Sequence, residues 1–122
     1  MRAFKTRTFQ RWAGKVGVTD AALLDAVAQM ERGLIDADLG GNLYKQRVAL
    51  PGRGKSGSTR TIIATRFAGV LFFLYGFEKN DRDNITAKEL ALYQRLAHEL
   101  LEMNDARISA ALSAQVLMEV TR

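Results

Sequence analysis

This chain of 122 residues has no cysteine, one histidine, one proline and one tryptophan. The missing cysteines exclude a disulfide framework and a thiolate metal site, and a lone histidine argues against a structural zinc site. A reducing cytoplasm fits that composition. Long apolar runs are also missing. The longest, Val70 to Leu74, extends only to Phe77 across Gly76, far short of a membrane span. Positive charge at the N-terminus is not followed by an apolar stretch, so no signal peptide is expected.

The most informative absence is local. Between Leu43 and Phe77 there is no Asp or Glu, although the chain holds thirteen acids elsewhere. The same stretch carries Lys45, Arg47, Arg53, Lys55, Arg60 and Arg66. Like charges crowded on a sheet repel, so the fold gains nothing from them. A solvated sheet face would account for some, but the acids that normally intersperse such a surface are missing. The net charge of +5 points the same way, toward an anionic partner with a phosphate backbone.

Periodicity places these residues on strands. Residues 3–7 alternate weakly and read as a first strand, after which Thr8 is expected to cap a short helix through Lys15 with Phe9, Trp12 and Ala13 inward. Thr19 or Asp20 opens a second helix over about 20–33, with Leu23, Leu24, Val27 and Ala28 at helical spacing. Leu39-Gly40-Gly41 reads as a turn. Asn42–Leu50, Thr59–Phe67 and Val70–Phe77 read as an antiparallel meander, its first link the glycine-rich loop Pro51 to Gly57 and its second the turn Ala68-Gly69. Thr86 and Glu89 form a capping box for a helix to about Met103. Residues 105–122 read as an extension of the domain at 1–104, helical and packed on it, with Val116–Val120 open to an extended form. The class is α+β, with an N-terminal strand and helices on one face of a small antiparallel sheet and the other face partly open.

Within that scheme Lys45 and Arg47 share a strand face, as do Arg60 and Arg66. Gly54-Lys55-Ser56 is not a nucleotide-binding P-loop: Ala49 stands where the first glycine belongs, and a strand follows instead of a helix. His98 has no partner nucleophile and reads as a helix-surface residue. An outward aromatic such as Tyr75 or Phe77 is suited to stacking on a base.

The segments 33–47, 52–61 and 73–80, with Tyr44-Lys45-Gln46-Arg47, Gly52-Arg53-Gly54-Lys55 and Arg60 in order, resemble the RelE/HigB superfamily of type II toxins, closest to its HigB-like branch. The resemblance covers about residues 1–104. It implies a ribosome-dependent mRNA endonuclease that cuts A-site codons by 2′-hydroxyl attack, without metal or cofactor, and a cognate antitoxin, a helix-turn-helix repressor. Carried over by motif, Lys45, Arg47, Arg60 and Lys79 are the candidate catalytic residues: Lys45 as base, Arg60 as transition-state clamp, Lys79 as acid. Arg53, Lys55, Arg66, Arg82 and Tyr75 are candidates for holding RNA. Some members place a tyrosine after the last strand, whereas Asn80 to Ile85 contains none. A gyrase poison of the related ParE branch, or a relative that only binds an antitoxin, is the alternative.

Overall fold

The structure, a computed structural model, describes residues 1–50 and 59–122. Its order is β1 (Arg2–Thr6), α1 (Arg7–Val16), α2 (Asp20–Glu31), β2 (Ala37–Gly40), β3 (Leu43–Val48), β4 (Thr59–Thr65), β5 (Val70–Glu78), α3 (Ala87–Leu101), α4 (Asp105–Ser113) and β6 (Leu117–Glu119). The strands form one sheet in the order β2-β3-β4-β5-β1-β6. The expected meander is its centre: β3, β4 and β5 pair antiparallel. β1 runs parallel to β5, so the sheet is mixed.

Local chemistry sets the helix starts. The Thr6 hydroxyl, not that of Thr8, accepts the Phe9 amide and caps α1. The chain is already turning at the end of β1, so the cap falls two residues earlier than expected. Thr19 accepts the Ala22 amide at the start of α2. At α3 the Thr86 hydroxyl accepts from the Glu89 amide, and the Glu89 carboxylate accepts from the Thr86 amide. Each arrangement satisfies amides that a helix leaves free in its first turn.

Helices cover both faces of the sheet, where one covered face was expected. On one face α1 and α2 bury Phe9, Ala13, Leu23, Val27 and Met30 against Ala3, Ile63, Leu71 and Phe73. On the other, Ala97 and Leu100 of α3 and Ile108 of α4 pack on Phe4, Leu43, Ile62, Ala64, Phe72 and Leu74. The unbroken burial of Thr61 through Thr65 on β4 is the mark of a strand enclosed on both sides.

The 105–122 segment forms α4 and then β6, which adds to the sheet beside β1. Its placement is fixed by charge. Lys5, only 8% exposed, pairs with Asp20 at the start of α2, and the second Asp20 oxygen accepts the Thr121 amide. Arg2 on β1 pairs with Glu119 on β6 through two hydrogen bonds of 3.0 Å. Among the described residues no helix is long and apolar enough to cross a membrane.

Candidate anion-binding site

The register of the meander decides where its cations point. Arg47 on β3 stands directly opposite Arg60 on β4, and Lys45 opposite Ile62. Directly paired residues share a face, and residues two apart on a strand do too. Lys45, Arg47 and Arg60 therefore lie on one face, the one that α3 and α4 pack upon farther along. Leu43 and Ala64, the next pair in that row, are fully covered. Arg47 keeps half its side chain exposed, while that of Arg60 is 16% exposed. The apolar part of the face thus holds the helices, and its cationic end lies beyond them.

An acid sits among these cations. Asp36, just ahead of β2, has one carboxylate oxygen 3.8 Å from an Arg47 guanidinium nitrogen and the other 3.8 Å from Arg60 Nε. Its backbone is clamped from the opposite side. Buried Gln46 accepts the Asp36 amide through Oε1 at 3.0 Å and donates through Nε2 to the Leu34 carbonyl at 2.9 Å. Nothing in the sequence pattern marked Asp36, since its place depends on how the chain before β2 meets the edge of β3.

The remaining candidates fall in different places. Lys79 follows β5 directly and is exposed, at the sheet end where Glu78 pairs with Thr59 and Phe77 with Arg60. It therefore shares an end of the sheet with Arg47 and Arg60. Arg53 and Lys55 lie outside the described residues. Arg66 lies at the far end of β4, six residues from Arg60 or about 20 Å at ~3.3 Å per residue. Its guanidinium donates to the Leu101 carbonyl at 3.0 Å and to Glu102 at 2.9 Å, closing the C-terminus of α3. Arg66 is apart from the other three.

Arg82 and Tyr75 form a separate unit at the other end of α3. Arg82 donates from Nη1 to the Tyr75 hydroxyl at 3.1 Å and to Glu89 Oε2 at 3.0 Å, with a further bond from Nη2 to Glu89. The same guanidinium lies 5.8 Å from the ring centres of both Tyr75 and Phe77. Tyr75 also stacks on Tyr93 of α3 at 5.5 Å. Arg82 first, and the Thr86 amide second, hold the Glu89 carboxyl down at about 2. Bonds to Glu89 first, and to the Tyr75 hydroxyl second, push the Arg82 guanidinium above its ordinary value. Burial, reinforced by Tyr75 and Glu89, raises the Tyr93 phenol. This unit fastens the loop after β5 to the start of α3, and Tyr75 meets Tyr93 where a stacked base was expected.

Among the described residues, Lys45, Arg47 and Arg60 thus share one face at one end of the sheet, with Asp36 beside the two arginines. Residues 1–120 match the family described as the RelE toxin of the RelE/RelB toxin–antitoxin system. The chain belongs to that RelE toxin family. It is thereby the toxin half of a toxin–antitoxin pair, and a cognate antitoxin is its implied partner. The match runs past residue 104, so it takes in α4 and β6 as well. No curated protein sequence matches the chain.

Proposed function

We propose that this toxin is a metal-independent endoribonuclease that cuts mRNA in the ribosomal A site. The carrying observation is the shared face of Lys45, Arg47 and Arg60, beyond the Leu43–Ala64 pair on which α3 packs. A phosphodiester lying there would meet two guanidinium forks, the geometry that binds phosphate oxygens in pairs.

That placement supports the following reaction. The 2′-oxygen of the RNA attacks the adjacent phosphorus, and a P–O2′ bond forms as the P–O5′ bond breaks. The 2′-hydroxyl proton passes to Lys45, acting as general base. Arg47 and Arg60 face the negative charge that grows on the non-bridging oxygens, stabilising the transition state more than the ground state. Lys79 gives a proton to the leaving 5′-oxygen. The products are a 2′,3′-cyclic phosphate and a 5′-hydroxyl. The setting is the cytoplasm, where the partners are the ribosome with its mRNA and a helix-turn-helix repressor as antitoxin.

The test is expression of the chain alone with primer extension on translated transcripts. Wild type arrests growth and leaves discrete cuts. Arg60→Ala and Arg47→Ala each lower cutting by about a hundredfold or more, with an unchanged circular dichroism spectrum. Growth arrest with intact transcripts and an induced DNA-damage response would instead mark a gyrase poison.

A further inference from the structure

Asp36 is the one described carboxylate with ion pairs to both Arg47 and Arg60. Its position needs a reason, because an acid in an anion site weakens that site. At 3.8 Å each contact is an ion pair outside hydrogen-bond distance, whereas a guanidinium–phosphate bond closes to about 2.7–2.9 Å. The carboxylate screens the two cations from each other without gripping either. The backbone beneath it is fixed, since Gln46 holds both the Asp36 amide and the Leu34 carbonyl. The Asp36 side chain is 25% exposed, on the solvent side of that clamp.

We propose that Asp36 is a resident counter-anion: it occupies the gap between Arg47 and Arg60 while the toxin is empty, and an incoming phosphate displaces it. The inference rests on reading these arginines as a phosphate site. Repulsion between two guanidiniums facing each other across a strand pair is relieved in the empty protein. The cost falls on binding, because an anion must compete with a carboxylate already there. Loose, non-bonded contacts make the exchange favourable for a group that can bond both forks at once. Asp36 thereby lowers the hold of the site on stray polyanions and leaves tight binding to a phosphate presented in the right geometry.

The test uses inorganic sulfate at millimolar concentration as the probe, read as the rise in melting temperature of the purified full chain. Asp36→Asn binds sulfate on the order of five- to tenfold more tightly than wild type, and Asp36→Ser, a second way of removing the charge, does the same. Asp36→Glu keeps the wild-type response. Asp38→Asn, which removes an equal charge from a residue that pairs with Tyr44, also keeps it. An unchanged or weakened sulfate response in both Asp36→Asn and Asp36→Ser overturns the proposal. So does an equal gain in Asp38→Asn, which would reduce the effect to net charge. The nuclease reading fails separately. Uncut transcripts in wild type remove that reading while a gain in Asp36→Asn upholds the counter-anion, and Arg60-dependent cutting with no such gain removes the counter-anion alone.

Discussion

The Trp12 ring lies against Gly76 of β5 so closely that a Cβ built on Gly76 would stand 2.1 Å from Trp12 Cζ3. The contact seats α1 on the sheet, with Phe9 beside it at 5.2 Å from Phe73. Gly76→Ala forces a rigid indole to move in a packed interface. The expected loss is about 1–3 kcal/mol, measured by urea unfolding followed by far-ultraviolet circular dichroism. Trp12→Leu in the same chain recovers part of the loss, because the smaller side chain leaves room for the methyl group. Equal stability of Gly76→Ala and wild type would show that the ring does not bear on the strand.

Arg60 and Lys45 are both basic residues, yet only Arg60 has a planar fork. Arg60→Lys keeps the charge and loses paired donation to phosphate. Transcript cutting is expected to fall by at least about tenfold, with kcat affected more than KM, because the pairing matters most as charge develops on the phosphate. A variant cutting at the wild-type rate would show that charge alone suffices at that position.

The capping unit at α3 carries a pH signature. The Glu89 carboxyl sits at about 2 when folded, against an ordinary value of 4.5. A depressed acid adds stability that is fully present above its unfolded value and is lost as pH falls toward its folded value. The contribution is therefore complete above about pH 5 and fades between 4.5 and about 2. Glu89→Gln lowers the melting temperature at pH 7 and shows a shallower decline than wild type across that acid window. Parallel curves for the two proteins would mean that the carboxylate adds nothing through its charge.

Lys5 and Asp20 tie β1, α2 and the C-terminal segment together. Asp20→Ala strands a lysine that is only 8% exposed and also frees the Thr121 amide. A loss of about 3 kcal/mol is expected in chemical unfolding. Lys5→Met costs less, since the apolar replacement suits its surroundings and Asp20 keeps both the Thr121 amide and a place at a helix N-terminus. If Lys5→Met proves the more damaging change, the pair contributes more as a unit than its burial implies.

Much of this architecture is readable in the chain. Helical spacing from Leu23 to Met30 and the Thr86–Glu89 box give α2 and the start of α3. Alternation and turn residues give the β3-β4-β5 meander. What escaped depends on distant pairing. β2 is four residues containing a glycine, which read as a turn until β3 supplies its partner. β6 falls within Val116–Val120, read as open to an extended form, but its pairing escaped, because its partner β1 lies at the other end of the sequence. The second covered face was missed because one face of β3 changes character along its length, from Leu43 under α3 to Lys45 and Arg47 beyond it. Of the site, the cation row could be read from strand parity, since Lys45, Arg47 and Arg60 needed only pairing to meet. The separation of Arg66 is a matter of distance along β4, and the position of Asp36 of how its chain approaches an edge.

Several positive charges on this protein are already answered from within. Arg2 faces Glu119, Lys5 faces Asp20, Arg66 faces Glu102, Arg82 faces Glu89 and Arg122 faces Asp25. The total of eighteen Lys and Arg therefore overstates how many counterions an RNA strand would shed on arrival. The ionic-strength dependence of association should follow the few cations at the Arg47–Arg60 end of the sheet, giving a gentler slope than eighteen basic residues suggest.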